Sequence, residues 1–485
     1  MKTINLPPYA PTLIESTRAM GYSLEAAVAD IIDNSIAAYA SRVDLFFFPI
    51  DGEYVAFLDN GAGMTSEELN MAMQYGSKNP QELREQNDLG RFGLGLKTAS
   101  LSQCKTLTVI TKSKEGIEAR RWDVDYVAET GEWSLLVLDD TEIRECPHFE
   151  DLDKYESGTL VVWQKLDRLK AGEINFEQAL GRRMDDVREH LSLVFHRYLF
   201  GETGIKKFQI WMNNQLIQPI DPFLTSKSTQ AMDDETILVQ GEKIVVRPYI
   251  LPHTSKMTVD EINSLGGKDG LRRQQGFYVY RNKRLLVWGT WFRMMRQGEM
   301  SKLVRIRVDI PNALDDLWTL DIKKSSAVPP AAVRSNLRVV IEKMSDKSKR
   351  TWTVRGKKET DEKTVHVWNR LRTRSNGYVY EVNRHHPLVE ELLNNANVNK
   401  QVERLLRQIE NNIPLNALYV DLTNDVKIDN EISTEYKDIR ESMLEILRNT
   451  SPELQENMIN SLVVCEPFAA YRQELLQEYA EGTLK

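Results

Sequence analysis

The sequence is poor in cysteine and has no long apolar run. Three widely spaced cysteines among 485 residues provide neither a disulfide framework nor a zinc-binding cluster. No stretch approaches the roughly 18 consecutive apolar residues of a transmembrane helix, and the first residues lack the apolar segment of a signal peptide. These absences predict a protein of the reducing cytoplasm without a membrane partner.

A strong excess of positive charge is also missing. The chain carries 63 lysines and arginines against 71 aspartates and glutamates, a net charge of −8. The molecule as a whole is therefore not a polycation for nucleic acid, although a local basic surface remains compatible with this average. The length allows two to four domains, and no internal repeat or low-complexity tract interrupts them.

What the chain does have is three short motifs near its N-terminus, the first being Asp30-Ile-Ile-Asp33-Asn34. The apolar spacing predicts an amphipathic helix over Ser23–Ala40, with Ser23 as N-cap. Asp30 and Asn34 then share one helix face. A carboxylate there can accept a proton from water, and an amide oxygen can bind Mg²⁺. Taken alone, the pair fits an ordinary polar helix face better.

The second motif, Asp59-Asn-Gly61-Ala-Gly63-Met64, follows a predicted strand over Tyr54–Asp59. A buried carboxylate at a strand end can accept the exocyclic amine of adenine, and glycines allow the backbone to approach the ring. A simple Asp-Asn-Gly turn is the alternative.

The third motif is Gly90-Arg-Phe-Gly93-Leu-Gly95-Leu-Lys97-Thr98. Its glycines leave N–H groups available for phosphate oxygens, and the following run to Leu101 predicts a helix whose N-terminus favours anions. Lys97 adds a positive charge and Thr98 a hydroxyl. The spacing differs from the Walker pattern. The three motifs in this order predict a pocket for Mg-ATP.

The apolar pattern predicts an α+β protein of three parts, with boundaries at 1–204, 205–335 and 336–485. Strands of the first part are predicted at Val43–Phe48, Tyr54–Asp59, Thr106–Thr111, Glu132–Leu138 and Gly158–Trp163. Strands of the second part are predicted at Phe208–Met212, Ile244–Ile250, Gly276–Tyr280 and Val304–Ile310. Beyond Pro329-Pro330 the chain reads as mainly helical.

The three motifs together resemble the GHKL ATPase superfamily, which includes gyrase B, Hsp90, MutL and the MORC proteins. The resemblance implies a GHKL (Bergerat) ATP-binding α/β sandwich. The lid sequence is most similar to that of MORC proteins, including MORC-like proteins of bacterial restriction and defence loci. The resemblance to the superfamily also implies that Asn34 binds Mg²⁺ and that Asp59 and Thr159 bind adenine. The residues so assigned to ATP binding are Asn34, Asp59, Gly61, Gly63, Met64, Gly76, Ser77, Lys78, Gly90, Arg91, Phe92, Gly93, Leu94, Gly95, Leu96, Lys97, Thr98 and Thr159.

One residue departs from the superfamily pattern. The position four before the Mg²⁺-binding Asn usually carries Glu as general base, whereas this chain has Asp30. A base must lie within about 3 Å of the attacking water, and Asp is one methylene shorter. We therefore expect slow hydrolysis, hydrolysis through a second water, or nucleotide binding without hydrolysis.

The segment 276–286 resembles the ribosomal-S5-like transducer domain of MutL, gyrase B and MORC proteins. In that family the transducer sends a lysine to the γ-phosphate. The candidates are Lys324, which we prefer, and Lys323. A surface charge pair in a loop is an equal alternative. The resemblance further implies ATP-dependent homodimerisation.

A basic, aromatic-rich stretch of the second part suggests a nucleic-acid surface. It comprises Arg272, Arg273, Arg281, Lys283, Arg284, Arg293, Arg296, Lys302, Arg305 and Arg307, interleaved with aromatic residues. A solvated face balanced by acids fits equally well. Asp421, Glu435 and Lys437 form only a loose echo of a metal-nuclease motif.

The sequence thus predicts an ATP-gated, dimerising clamp with DNA as substrate, working with other proteins of a defence system. Two alternatives remain open. One is a non-hydrolysing, nucleotide-sensing scaffold, and the other is an Hsp90-like chaperone.

Overall fold

The structure is a computed structural model. It describes residues 3–4, 8–19, 21–76, 95–204, 206–227, 233–298, 301–315, 317–318, 329–353, 365–372, 378–394, 398–414, 418 and 436–484. The chain divides into two compact units, Met1–Thr353 and Val354–Lys485. Over the residues so described, no helix has the length and apolar character needed to cross a membrane. All three cysteines are buried and free.

The first unit contains a mixed eight-stranded sheet. Its strands are β1 (Arg42–Phe48), β2 (Tyr54–Asp59), β3 (Thr106–Ser113), β4 (Gly116–Asp123), β5 (Leu136–Val137), β6 (Gly158–Gln164), β7 (Gln209–Met212) and β8 (Gln215–Leu216). They lie in the order β5-β4-β3-β6-β2-β1-β7-β8. All neighbours are antiparallel except β1 and β7, which are parallel. The sheet places the end of β2 beside the start of β6 at its centre.

Helices cover both faces of this sheet. They are α1 (Ala10–Arg18), α2 (Leu24–Ala37), α3 (Ser66–Met73), α4 (Gly95–Leu101), α5 (Val124–Thr130), α6 (Asp140–Arg144), α7 (Phe149–Asp153), α8 (Asp167–Lys170), α9 (Phe176–Val194) and α10 (His196–Phe200). The larger core joins one sheet face to α1, α2, α4 and α9. A smaller core joins the opposite face to α6 and α7. The result is the helix-and-sheet sandwich expected from the sequence.

A second, five-stranded sheet completes the first unit. Its strands are β9 (Glu235–Val239), β10 (Glu242–Ile250), β11 (Gly276–Arg281), β12 (Arg284–Thr290) and β13 (Val304–Ile310), in the order β12-β11-β13-β10-β9. Helices α11 (Val259–Gly266) and α12 (Ala331–Thr353) pack with it around a separate core. An aromatic cluster of Phe223, Tyr249, Tyr278 and Tyr280 packs against Leu193 of α9.

The second unit is mainly helical, as expected. Its helices are α13 (Pro387–Asn394), α14 (Asn399–Asn411), α15 (Tyr436–Asn449), α16 (Gln455–Leu462) and α17 (Arg472–Ala480). The hairpin β14 (Trp368–Arg372) and β15 (Tyr378–Val382) accompanies them. Apolar residues of α15, α16 and α17 form its core.

Several elements differ from the sequence expectation. The strand predicted over Glu132–Leu138 is reduced to β5, and β4 was not predicted. The segment Phe208–Met212 was assigned to the second part, but β7 pairs with β1 in the first sheet. The first sheet therefore continues past residue 204, and α12 runs across the expected boundary at 335.

Candidate nucleotide site

The end of β2 and the last turns of α2 bring together the adenine-end residues of the candidate site. Asp59 is only 7% exposed. Its carboxylate accepts hydrogen bonds from the Ser35 hydroxyl at 2.7 Å and the Gly61 N–H at 2.9 Å. Burial raises the pKa of the Asp59 carboxyl, although these two donors oppose the rise. A buried acceptor held by fixed donors is the arrangement that a ring amine requires.

Two threonines extend this acceptor group along the sheet. Thr159 on β6 is the cross-strand partner of Asp59. The hydroxyls of Thr159 and Thr111 lie 3.3 Å apart, and the Thr111 hydroxyl accepts the N–H of Met64 at 2.9 Å. The second motif is thereby tied to β3 as well as to α2. These short polar side chains line one continuous strip beside the carboxylate.

The glycines of the second motif are required by protein packing. A Cβ on Gly61 would lie 2.9 Å from the Ala38 Cβ, and one on Gly63 would lie 2.0 Å from the Lys112 carbonyl oxygen. Gly63 also has a φ of 70°. The sequence reasoning gave these glycines the task of admitting an adenine ring. The structure shows that they also lie against Ala38 and the Lys112 backbone, contacts that fix the turn beside Asp59. Their role toward adenine stays a prediction.

The first motif lies on α2 as predicted, with Ser23 as N-cap accepting the N–H of Ala26. Asp30 is 4% exposed and accepts the hydroxyl of Tyr22 at 3.1 Å. Asn34 is exposed, so its amide is accessible for a ligand. A Cβ on Gly95 would lie 3.7 Å from the Asp30 carboxylate. The start of α4 therefore faces the candidate base.

The third motif is described from Gly95 onward, where Gly95–Leu101 form the expected helix α4. Lys97 is 2% and Thr98 3% exposed. The Lys97 ammonium donates to the carbonyls of Ala72 and Gln74, at 2.9 and 2.8 Å, at the C-terminal end of α3. Burial lowers its pKa to about 8. These contacts hold the ammonium at a helix end, and its expected role toward the phosphates stays a prediction.

Part of the predicted site lies outside the described residues. This applies to Ser77, Lys78, Gly90, Arg91, Phe92, Gly93 and Leu94 of the lid region, and to the candidate phosphate lysines Lys323 and Lys324. Asp421 and Glu435 of the nuclease echo also lie outside them. Gly76 and Leu96 are described and flank the lid. The roles assigned to all residues named in this paragraph remain predictions from the sequence.

The basic stretch of the second sheet does not form one exposed face. Arg281, Arg284, Lys302 and Arg305 are all 5% exposed or less. Arg281 pairs with Asp315 at 2.9 Å, and Arg284 pairs with Asp33. The Arg305 guanidinium donates to the carbonyls of Lys302, Val304 and Leu271. The idea that these four cations could face a phosphate backbone is therefore wrong, because each is buried.

Sequence reasoning missed several residues of the site. Ser35, Tyr22 and Thr111 hold the predicted carboxylates and the second motif in place, and Asp33 binds the second sheet. Ser35 could have been noticed, because it follows Asn34 on the predicted helix. Tyr22 lies eight residues before Asp30, but no spacing rule links the two side chains. Thr111 and Asp33 depend on pairings between distant segments that no local pattern reports.

Comparison with known proteins finds matches to the segment that carries the predicted nucleotide motifs. Residues 22–159 match the family described as Histidine kinase-, DNA gyrase B-, and HSP90-like ATPase. The mouse protein ATPase MORC2B is 34% identical over 145 residues, which cover 28% of this chain and 14% of that protein. Human MORC family CW-type zinc finger protein 1 is 33% identical over 95 residues, 18% of this chain and 9% of that protein. The match thus spans 14% or less of the length of these relatives.

One solved structure is described as the crystal structure of the N terminal domain of a DNA repair protein. It aligns with a TM-score of 0.44 and 18% identity, over 70% of this chain and 99% of that one. At this TM-score the likeness adds nothing to the assignment. The match of residues 22–159 and the geometry around Asp59 identify this part of the chain as a GHKL ATP-binding domain. Within that superfamily its sequence is similar to the MORC ATPases.

Proposed function

We propose that the chain is a Mg-ATP-dependent ATPase that acts as a dimerising clamp on DNA, in the cytoplasm and within a restriction or antiviral defence system. The observation that carries the nucleotide part is the buried Asp59 carboxylate, held by Ser35 and Gly61 within the matched segment. The lid, the phosphate lysine Lys324 or Lys323, and the S5-like character of the second sheet belong to this proposal.

The described residues suit a magnesium ion that arrives with its nucleotide. They contain no group of three or more His, Cys, Asp or Glu side chains able to hold a metal. Mg²⁺ commonly keeps several waters and is bound through one or two protein oxygens plus phosphates. The exposed amide of Asn34 on α2 can supply one such oxygen. Bound Mg²⁺ would neutralise charge that develops on the phosphates.

Asp30 is the residue that would activate water. It shares the helix face of Asn34, and Tyr22 donates a hydrogen bond to it, which fixes the carboxylate orientation. Its short side chain favours slow turnover. The second candidate function is the non-hydrolysing scaffold. The short side chain of Asp30 favours this function too, because it could leave bound nucleotide unhydrolysed.

Four arginines support a DNA surface. Arg272, Arg273, Arg293 and Arg296 are exposed on two loops, residues 270–274 and 291–298, which we call the arginine loops. Gln275 donates to the carbonyls of Arg272 and Gly298, and Gln297 donates to the carbonyl of Arg273. The two loops are thus joined where β11 begins and β12 ends, which brings their exposed arginines to one end of this hairpin. Guanidinium groups placed in this way suit phosphates of a nucleic-acid backbone.

The test is Mg²⁺-dependent ATP turnover of the wild type, Asp30→Asn and Asn34→Ala, with and without duplex DNA. We expect slow wild-type turnover that DNA raises and that both substitutions abolish. Sedimentation with a non-hydrolysable ATP analogue should show a shift to dimer. Nucleotide binding without turnover would replace the enzyme by the scaffold. A monomer at saturating nucleotide would rule out the clamp, and nucleotide-dependent binding of unfolded protein instead of DNA would favour the chaperone.

A further inference from the structure

Helix α2 presents its polar residues in two directions. Asn34 is exposed, whereas Asp33 is 2% exposed. Neighbouring residues on a helix point about 100° apart, so the two side chains leave α2 on different faces. One face belongs to the candidate nucleotide site, and the other meets the second sheet. Helix α2 therefore contacts both the candidate nucleotide site and the second sheet.

The contact with the second sheet is a buried ion pair. The Arg284 Nε lies 3.0 and 2.9 Å from the two carboxylate oxygens of Asp33. The Arg284 Nη1 donates to the Leu285 carbonyl at 2.9 Å, and the guanidinium carbon lies 5.6 Å from the Phe195 ring centre. Both side chains are 6% exposed or less. Because the pair is shielded from water, loss of one partner leaves an uncompensated charge.

Arg284 begins β12 immediately after a tight turn. Asn282 and Lys283 have φ values of 47° and 66°, as in the two-residue turns that join paired strands. Arg281, across the turn, is the register partner of Arg284 and pairs with Asp315 at 2.9 Å. Asp315 precedes Lys323 by eight residues in sequence. The tip of this β11–β12 hairpin therefore holds Asp33 of α2 through Arg284 and Asp315 through Arg281.

Other polar contacts join the same sheet to α10. His196 lies 2.8 Å from the Tyr280 hydroxyl, Tyr198 donates to the Asn282 carbonyl, and Arg197 pairs with Asp309. These contacts attach the second sheet to the ATP-binding part without touching α2. They provide a reference against which the Asp33–Arg284 pair can be tested.

We propose that the Asp33–Arg284 pair is a positioning contact that couples nucleotide occupancy on α2 to the β11–β12 hairpin. The inference rests on the proposed function, since it requires nucleotide at Asn34 and Asp30. Any shift of α2 on binding moves Asp33, so the hairpin must follow or the pair must break. Coupling between two sites is reciprocal, so the hairpin in turn sets the position of α2 and its affinity for nucleotide.

The experiment compares the wild type with Asp33→Asn, Arg284→Gln, the double variant and Arg284→Lys, all as full chains. Affinity for a Mg-bound, non-hydrolysable ATP analogue is measured together with hydrogen exchange of peptides covering 276–290. We expect the analogue to protect these peptides in the wild type. We expect each single neutral variant to bind the analogue about tenfold more weakly, within the range typical of coupled sites.

The double variant removes both charges and leaves none buried alone. It should fold, bind the analogue more tightly than either single variant, and lose the analogue-dependent protection of 276–290. Arg284→Lys should retain part of that protection. Arg197→Gln serves as the matched control, because it breaks a partly buried pair between the same two parts and should leave the protection in place.

The outcomes separate the two proposals. If the wild type fails to bind the analogue, the proposed function is wrong and this inference falls with it. If the wild type binds but the hairpin peptides do not respond, or respond equally in the double variant, only the coupling is wrong. Equal loss of protection in Arg197→Gln would reduce the pair to a general structural contact and overturn the inference. Thermal melting of every variant identifies any that fail to fold. If a single neutral variant fails to fold, the double variant and Arg284→Lys test the coupling in its place.

Discussion

At the residue scale, a carboxylate is useful for recognising an adenine ring only if its orientation is fixed before the ligand arrives. Asp59 is fixed by the Ser35 hydroxyl and the Gly61 N–H. Ser35 lies on α2 and Gly61 in the turn after β2, so two separate elements must be in place before the acceptor is formed. The glycines of the turn serve this end, since their contacts with Ala38 and Lys112 leave no room for a Cβ.

Replacing the carboxylate should weaken nucleotide binding without unfolding the protein. Asp59→Asn exchanges a charged acceptor for a neutral amide, and hydrogen bonds to charged groups contribute about 1.5–3 kcal/mol. We expect the dissociation constant for ATP to rise about tenfold to a hundredfold. Titration calorimetry measures it. Asp44→Asn is the control, because Asp44 is 3% exposed on the neighbouring strand and pairs with Arg42. A similar loss in both variants would contradict a specific role for Asp59.

At the element scale, local patterns predicted those elements whose limits are set by their own residues. Helix α2 has an N-cap serine and a regular apolar spacing, and β2 ends at the expected Asp59. Strand β4 was missed because Glu118, Arg120 and Arg121 interrupt its apolar alternation. These side chains are accommodated by partners on other segments: Arg120 donates to Asn70 and Ser66, and Arg121 donates to Thr108.

Burial of charge was the least predictable feature. Asp33 and Arg284 are 251 residues apart in sequence, and only the tertiary fold joins them. The same holds for Arg281 with Asp315 and for Arg305 with the Leu271 carbonyl. A basic stretch was therefore interpreted as a surface, whereas four of its ten cations are buried. The nucleotide motifs were easier, because their order and spacing are contained in a single stretch of chain.

The contact between α4 and α3 gives a pH-dependent prediction. Burial lowers the pKa of Lys97 to about 8 from 10.5. Between these values the unfolded chain holds the proton while the folded protein does not, so the free energy of unfolding should rise with pH. Urea unfolding at pH 7.5, 8.5 and 9.5 measures this rise, and it should be smaller in Lys97→Met than in the wild type.

Lys154→Met is the control for that series. Lys154 is exposed, and a hydrogen bond from its ammonium to Asp151 raises its pKa above 10.5. Its titration therefore lies above the measured window, and the variant should follow the wild type. Parallel curves for the wild type and Lys97→Met would show that Lys97 does not titrate in this range.

At the scale of the whole molecule, a net charge of −8 opposes association with DNA. Binding is then possible only where cations are concentrated on one surface. Burial removes four cations of the second sheet from such a surface. The arginine loops, joined through Gln275 and Gln297, carry four of the six that remain. The proposed clamp would place these loops against the duplex when nucleotide is bound.

Neutralising the arginine loops should weaken DNA binding and its dependence on salt together. Each phosphate contact contributes about 0.9 to the slope of log K against log salt. Changing Arg272, Arg273, Arg293 and Arg296 to Gln should therefore lower the slope by up to about 3.6. Fluorescence anisotropy with duplex DNA between low and moderate salt measures this effect in the presence of an ATP analogue.

A second variant with the same change in net charge isolates the position of the cations. Arg144, Lys154, Arg168 and Arg182 are exposed on the ATP-binding part, and their replacement by Gln removes the same four charges. Because exposed charges more than about 10 Å apart are largely screened at 0.1 M salt, this control should keep nearly the wild-type slope. Equal losses in the two variants would mean that DNA responds only to net charge. An unchanged slope in the first variant would mean that DNA binds elsewhere.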